Sequence, residues 1–236
     1  MKKLIIANWK MNLSHNQECT WLETVFPGVL EILSETEHEL VICPSFTVLS
    51  YAKALYPSAF FGAQDCGFEA QGPYTGDVSV ISLADLQADY CLIGHSERRQ
   101  YYDETNTRVA DKAELLLKNG IKPIICIGET FQEIENKATV LNSQLELILP
   151  LYKKERPIIA YEPAWSIGSG IVPSVSELIS TIEFIREICG SHEPKILYGG
   201  SVEASMLQGF CPLVDGFLIG SASINGESLK KIILSC

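Results

Sequence analysis

Glu162 is the residue of this sequence whose position most clearly suggests chemistry, because it follows an apolar run directly. The run Pro157-Ile-Ile-Ala-Tyr161 has the composition of a strand that is buried on both faces. A carboxylate at the end of such a strand is costly to bury unless the fold uses it. The ordinary alternative for an isolated glutamate is a solvated strand end.

The segment 163–170, which follows this carboxylate, has the composition of a lid. Trp165 and Ile167 are apolar within a predicted loop, and Gly168 and Gly170 permit unusual backbone angles. A loop of this kind can close over a bound molecule, exclude water and bring backbone N–H groups close to a ligand. Glu162 would then act beneath a mobile cover.

The elements that position this carboxylate are predicted by eight short apolar runs, spaced about thirty residues apart, the length of one βα unit. The runs are 4–7, 40–43, 59–63, 90–93, 123–127, 157–161, 195–198 and 217–219. Amphipathic helical patterns lie between them, for example 107–120, closed by Asn-Gly, and 174–189, capped by Ser174 or Ser176. This alternation predicts one domain, 1–236, with eight parallel strands that are each followed by a helix in a closed (β/α)8 barrel. A flavodoxin-like open sheet is the alternative, but eight strands are too many for it.

In such barrels the ligand site is built from the loops after the carboxyl ends of the strands. Here those positions are polar or rich in glycine: Asn8, Lys10, Gln64, Gly94-His95-Ser96-Glu97, Glu162, Gly199-Gly200-Ser201 and Gly220-Ser221. Ordinary turn chemistry accounts equally well for the glycines taken alone. Taken together, the positions predict that one acid, one imidazole and one lysine converge on a single mouth.

The turns after the seventh and eighth runs resemble a phosphate cradle. Their small residues let backbone N–H groups point at an anion, and a helix N-terminus adds a favourable dipole. With a phosphate at that end, Glu162 and His95 would flank the other end of a small substrate. A carboxylate and an imidazole suffice to move a proton next to a carbonyl group. The residues therefore predict a proton shuttle that acts, without a cofactor, on a small phosphorylated carbonyl compound.

The overall charge of −11 argues against nucleic acid and anionic membranes as partners, because both require a basic surface. The basic start of the chain is followed by an apolar stretch too short for a signal peptide, so we expect a cytoplasmic protein. The eight cysteines form no CxxC pair and are interpreted as reduced thiols. Because the four histidines have no ligand spacing, we expect no metal site.

Six motifs distributed over essentially the whole chain resemble the triosephosphate isomerase family. They are Asn8-Trp-Lys-Met-Asn12, Gly62-Ala-Gln64, Ile93-Gly-His-Ser-Glu-Arg-Arg99, Cys126-Ile-Gly-Glu-Thr130, Tyr161-Glu-Pro-Ala-Trp-Ser-Ile-Gly-Ser-Gly170 and Tyr198-Gly-Gly-Ser-Val202. The resemblance implies a TIM barrel that interconverts dihydroxyacetone phosphate and D-glyceraldehyde 3-phosphate, in glycolysis and gluconeogenesis, through an enediolate.

The resemblance also implies residue roles. Glu162 would be the base that moves a proton between C1 and C2, and His95 would polarise the carbonyl and enediolate oxygens. Lys10 would stabilise the developing negative charge. The remaining implied site residues are Asn8, which orients the substrate, Glu97, which supports the site, and Gly168, Ser201, Gly220 and Ser221, which hold the phosphate.

The sequence departs from the family pattern near the phosphate and the lid. Ser221 stands where the family usually has a second glycine, and Ile171-Val172-Pro173 replaces a flexible, often lysine-containing hinge. These changes affect the expected phosphate geometry and lid motion. A catalytically silent barrel that binds phosphate metabolites is one alternative function. A relative of indole-glycerol-phosphate synthase is another, but it does not fit the Asn-Trp-Lys and Glu-Pro-Ala-Trp segments.

The long segment 65–77 after the third run carries the tip Gly72-Pro-Tyr-Thr-Gly-Asp77, which resembles the interdigitating loop of the family. The resemblance implies a homodimer through this tip, with twofold symmetry as the default. A mobile flap over the site is the alternative. The stiff apolar pair Pro73 and Tyr74 favours insertion into a partner.

Overall fold

The protein is described by a computed structural model that covers residues 2–153, 156–202 and 204–236. Across these ranges eight strands, all parallel, pair in sequence order, and the last pairs with the first to close a barrel. The strands are β1 (Leu4–Asn8), β2 (Glu39–Cys43), β3 (Phe60–Ala63), β4 (Tyr90–Ile93), β5 (Lys122–Ile127), β6 (Ile158–Tyr161), β7 (Lys195–Gly199) and β8 (Gly216–Ile219). The predicted (β/α)8 barrel is confirmed, and each predicted strand agrees with the observed one to within one residue at either end.

Helices follow each of the strands, and the segments after β1 and β4 each carry a pair of them. They are α1 (His15–Thr24), α2 (Phe26–Ser34), α3 (Phe46–Leu55), α4 (Val80–Asp85), α5 (Ser96–Tyr102), α6 (Asn106–Lys118), α7 (Lys137–Leu145), α8 (Val175–Cys189), α9 (Ala204–Phe210) and α10 (Gly226–Ser235). The predicted pattern 107–120, closed by Asn-Gly, corresponds to α6, which ends at Lys118 with Asn119 as its C-cap; Gly120 follows with a φ of 75°, outside the helical region. Helix α8 begins after Ser174, whose side chain caps it by accepting from the Glu177 N–H.

Alternation along the strands divides the core into two layers. One buried cluster consists only of strand residues, such as Ile6, Leu92 and Leu218, and it fills the barrel. The other contains the alternate strand residues together with residues from the helices, such as Leu22 and Ile232, and it joins the barrel to its outer ring. Because all strands run in the same direction, their carboxyl ends meet at one mouth.

A buried ionic cluster holds the loop after β3 against the helices after β4. Lys112 Nζ donates to Asp65 Oδ1 at 2.6 Å and also to Glu104. Glu104 Oε2 in turn accepts from the Gly94 N–H at 3.0 Å. Arg98 pairs with the second oxygen of Asp65 at 2.9 Å. The cluster therefore fixes the backbone immediately before His95.

Candidate active site

A cleft of about 440 Å³ opens at the carboxyl ends of the strands. The nine residues for which the family resemblance implies a role all line it, although they come from separate segments of the chain. Four other residues expected at the mouth do not line it: Gln64, Gly94, Ser96 and Gly199. The lining residues are Asn8, Lys10, Asn12, His95, Glu97, Glu162, Ile167, Gly168, Gly200, Ser201, Val202, Leu218, Gly220, Ser221 and Ala222. The cleft size suits a small ligand rather than a polymer.

The Glu162 carboxyl lies at the buried end of this cleft, directly after β6. Its backbone N–H donates to the Ile127 carbonyl at 2.8 Å, which extends the pairing of β5 and β6 by one residue. Oε2 lies 3.3 Å from His95 Nε2, and only about 5% of each side chain is exposed. The predicted acid and imidazole are therefore in direct contact.

The pKa of Glu162 reflects opposing effects. Burial raises the pKa of this carboxyl, but attraction to His95, hydrogen bonding to His95 and Cys126, and the charge of Lys10 outweigh burial. The net result is a pKa below the ordinary glutamate value. The carboxylate is thus ionised at neutral pH and available as a base.

His95 caps α5, and its ring orientation follows from that position. The Glu97 N–H donates to His95 Nδ1 at 3.2 Å, so Nδ1 is an acceptor and the neutral ring carries its proton on Nε2. Burial lowers the pKa of His95, whereas the Glu162 carboxylate raises it, and the net shift is upward. Nε2–H therefore faces Glu162 and the cleft.

Lys10 has a left-handed backbone with a φ of 52°, which is unusual for a residue with a side chain. Hydrogen bonds between the Lys10 backbone and the side chains of Asn8 and Gln64 hold this conformation. Its N–H donates to Asn8 Oδ1 at 3.1 Å, and its carbonyl accepts from Gln64 Nε2 at 2.9 Å. Lys10 Nζ then reaches Glu97 Oε1 at 2.6 Å. The strained backbone thus places a positive charge in the cleft, held by Glu97.

The opposite end of the cleft is lined by the turns after β7 and β8. Gly200 has a φ of 132°, and a side chain there would come within 2.7 Å of Ser166 Oγ and 2.9 Å of the Tyr198 hydroxyl. A short 3₁₀ helix, Ser221–Ser223, begins at the cleft with Gly220 as its N-cap. Because the first N–H groups of a helix have no intrahelical acceptor, this end suits an anion.

The segment after Glu162 contacts both sides of the cleft. Trp165 Nε1 donates to Glu129 Oε1 at 3.0 Å, and Ser201 Oγ donates to the Ser166 carbonyl at 2.7 Å. The Gly170 N–H donates back to Ser201 Oγ at 3.3 Å. Gly168 and Gly170 have φ values of 67° and 73°, which explains why glycine occupies both positions. Ser201 therefore contacts the lid as well as the predicted phosphate end.

Two residues have roles at the site that the sequence did not indicate. Glu129 is fully buried and accepts from the Tyr161 hydroxyl as well as from Trp165, so it anchors the start of the lid. Gly199 does not line the cleft. It packs against the Glu162 side chain, and an added Cβ would lie 3.0 Å from Glu162 Cδ. Only the closure of the barrel brings these positions together.

Other features bear on what the protein can bind. Within residues 2–153, 156–202 and 204–236, no group of three His, Cys, Asp or Glu side chains is arranged to hold a metal ion. No helix in the described part of the chain is long and apolar enough to cross a membrane. All eight cysteines are free thiols.

The geometry combines an ionised base, a facing N–H donor, a nearby ammonium group and an anion-binding end. When a base and a hydrogen-bond donor of the protein contact the same small molecule, the base can remove a proton beside a carbonyl group. The donor then stabilises the carbonyl oxygen as it becomes negative.

Comparison with known proteins agrees with this arrangement. The family model described as triosephosphate isomerase matches residues 3–236. Curated proteins named triosephosphate isomerase are similar over nearly their full length. That of Bdellovibrio bacteriovorus is 39% identical over 98% of this chain and 99% of its own. Those of Trichodesmium erythraeum and Aquifex aeolicus are 37% and 35% identical, over 99% and 100% of both chains respectively. The chain thus belongs to the triosephosphate isomerase family.

Proposed function

We propose that this protein is a triose-phosphate isomerase that interconverts dihydroxyacetone phosphate and D-glyceraldehyde 3-phosphate in glycolysis and gluconeogenesis. The observation that carries the proposal is the contact of 3.3 Å between Glu162 Oε2 and His95 Nε2 at the buried end of the cleft. Family membership supports the same reaction.

In this proposal Glu162 removes the proton from the carbon beside the substrate carbonyl and returns it to the neighbouring carbon. His95 Nε2–H donates to the carbonyl oxygen, which becomes an enediolate oxygen, and the Lys10 ammonium stabilises its negative charge. The proton of the adjacent hydroxyl group is transferred to this oxygen, so the new carbonyl forms on the neighbouring carbon. Asn8 orients the substrate through its amide, and Glu97 holds Lys10 in place. The reaction needs no cofactor because the hydrogen and the electrons remain within the substrate.

The phosphate would lie between Gly168 of the lid and the turns that carry Ser201, Gly220 and Ser221. Backbone N–H groups supply the attraction there, so an acidic protein can hold an anionic substrate locally. Ser221 adds a hydroxyl that can also donate to a phosphate oxygen. Closure of the lid over the phosphate would exclude water from the enediolate.

A coupled spectrophotometric assay with D-glyceraldehyde 3-phosphate tests the function. Glu162→Asp tests the role of the base, because shortening the acid by one methylene moves it away from the carbon while the phosphate contacts remain. We expect kcat to fall by on the order of a hundredfold or more with little change in KM. A raised KM with intact kcat would exclude Glu162 as the base.

A catalytically silent barrel that binds phosphate metabolites is the second candidate function. The presence of Lys10, His95 and Glu162 in one cleft disfavours it. This alternative predicts binding of a triose phosphate by calorimetry without turnover in the coupled assay.

We further propose that the chain is a single domain, 1–236, that acts in the cytoplasm as a homodimer through the tip 72–77. The tip is exposed, and Tyr74 packs edge-to-face on Phe68 with ring centroids 5.1 Å apart, which stiffens it. Met11 and Tyr101 are also exposed apolar side chains, at 97% and 68%. Such surfaces suit burial against a second copy. Sedimentation at micromolar concentration should show twice the 26.1 kDa chain mass, and a monomer alone would contradict the proposal.

A further inference from the structure

A second, much smaller cavity of about 10 Å³ lies beside the base. It is lined by Gly94, Ser96, Arg99, Cys126, Ile127, Gly128 and Glu162. The substrate cleft and this cavity share Glu162 alone among their lining residues. A volume of this size is about that needed for one water molecule and is too small for any larger ligand.

Two buried polar atoms on residues that line this cavity have no hydrogen-bond partner within the described part of the chain. They are Arg99 Nη2 and Glu162 Oε1. Cys126 also lines the cavity and its thiol lowers the pKa of the carboxyl, but this weak donor does not satisfy Oε1. The other oxygen of Glu162 faces His95, and the other two nitrogens of Arg99 are engaged. A buried polar atom without a partner has lost its hydrogen bonds to water without replacing them, so each atom favours a bridging group.

The guanidinium of Arg99 is fixed with Nη2 at the cavity. Nε donates to the Gly94 carbonyl at 2.7 Å, and Nη1 donates to Asn106 Oδ1 at 2.7 Å. An added Cβ at Gly94 would lie 2.8 Å from Arg99 Nη2 and 3.1 Å from the Cys126 carbonyl oxygen. Arg99 Nη2 therefore occupies the space that a side chain at residue 94 would need. Gly94 also has a φ of 69°, which favours glycine independently of this contact.

We propose that one water molecule occupies this cavity, accepts a hydrogen bond from Arg99 Nη2 and donates one to Glu162 Oε1, so that Arg99 is a positioning residue for the base. The water fixes the rotation of the carboxylate while Oε2 faces the cleft. The bridge also links the positively charged guanidinium of Arg99 to the side of Glu162 that faces away from the substrate. The proposal concerns the same base as the proposed function and rests on it only for the kinetic part of the test.

Other ionisable groups act on Glu162 from every side. They are His95 at the end of β4, Lys10 after β1, the Cys126 thiol of β5 and the Tyr198 hydroxyl of β7. His95 and Lys10 favour the ionised carboxylate from the cleft side. A bound substrate would lie between them and Glu162 and would form its own hydrogen bonds with them. Arg99 lies on the opposite side of the carboxyl, so the proposed water bridge remains in place when substrate occupies the cleft.

The test compares Arg99→Met and Arg99→Lys with the unaltered protein. Arg99→Met removes the donor and its charge, so kcat should fall by on the order of tenfold with KM nearly unchanged. The acid limb of the pH profile of kcat should move up by about one unit, because the carboxylate loses a stabilising charge. Arg99→Lys keeps the charge and should recover the position of the acid limb. The matched control is Arg186→Met, which removes the same charge from an exposed position on α8 and should change neither quantity.

A crystal structure of the unaltered protein tests the bridge without any assay. A water peak within about 3.2 Å of both Arg99 Nη2 and Glu162 Oε1 supports the proposal. A side chain that fills the cavity, or a cavity without density, overturns it. An unchanged pH profile in folded Arg99→Met also overturns it. If Arg99→Met does not fold, the crystal structure and Arg99→Lys decide. Failure of the proposed function is separate, because it would appear as no turnover in the unaltered protein.

Discussion

Gly199→Ala is the perturbation that most directly tests how the barrel positions its base. Gly199 is the last residue of β7, and an added Cβ would lie 3.0 Å from Glu162 Cδ and closer still to Cγ. Its backbone is not in the left-handed region, so alanine is not strained there. The substitution therefore acts on Glu162 rather than on the local backbone.

The size of the effect follows from these distances. Carbon atoms pack best at about 3.5–4.0 Å, whereas the added Cβ would lie 2.3 Å from Glu162 Cγ, so the side chain must move by about 1.2–1.7 Å to make room for the methyl group. A displacement of about 1 Å at a reacting group costs on the order of a hundredfold in rate. We expect kcat to fall by this amount with little change in KM, because Gly199 does not line the cleft. Overpacking should lower the free energy of unfolding by about 1–3 kcal/mol.

The assay is steady-state turnover of D-glyceraldehyde 3-phosphate, together with thermal unfolding. Gly209→Ala is the matched control, since its added Cβ would meet only Val175 Cγ2 at an ordinary 3.5 Å. A folded Gly199→Ala protein with kcat within about threefold of the unaltered enzyme would refute this reasoning. A loss confined to KM would refute it as well.

Three further predictions concern the base, the lid and the buried ionic cluster. His95→Gln removes the group that most lowers the pKa of Glu162, so burial then raises that pKa and the acid limb of the kcat/KM profile should move to higher pH. A profile unchanged on the acid side would contradict this. Gly170→Ala should slow turnover more than Pro173→Ala, because Gly170 has a φ of 73° and we expect the hinge motion of the lid to fall on the glycines; equal losses, or a larger loss in Pro173→Ala, would place the motion elsewhere. Lys112→Met leaves two buried carboxylates without their shared cation and should cost about 3–5 kcal/mol in denaturant unfolding, whereas a loss below about 1 kcal/mol would show that the cluster contributes little.

The strands could be predicted closely because each is a short apolar run bounded by polar or turn residues. Both faces of a barrel strand are buried, so the run ends where burial ends. The predicted segment 107–120 includes the closing Asn-Gly, whereas the last residue of the observed helix is Lys118. Such boundaries are uncertain by one or two residues, because the last turn of a helix frays. The site residues could be placed at the carboxyl ends of the strands, because each apolar run shows where its strand ends. The common strand direction then decides which end of the barrel forms the mouth.

The role of Gly199 is different. In the sequence it is one of two adjacent glycines, and the pattern predicts that it belongs to the phosphate cradle with Gly200. In the structure Gly199 packs on Glu162, while Gly200 lines the cleft. Neighbouring strand residues point to opposite sides, and the register between β6 and β7 decides which glycine faces the base. That register depends on pairing between segments about forty residues apart.

By itself, the sequence determined the number and order of the strands, the mouth at which the polar residues gather, and the prediction that Glu162 and His95 meet there. These follow from local apolar patterns and from the common direction of parallel strands. Only the tertiary structure decided that Glu129 anchors the lid, that Glu97 holds Lys10, and that Arg99 directs an unpaired nitrogen towards the far side of the base. These contacts join segments distant in the chain, and their geometry is set by barrel closure and side-chain packing, which no local pattern encodes.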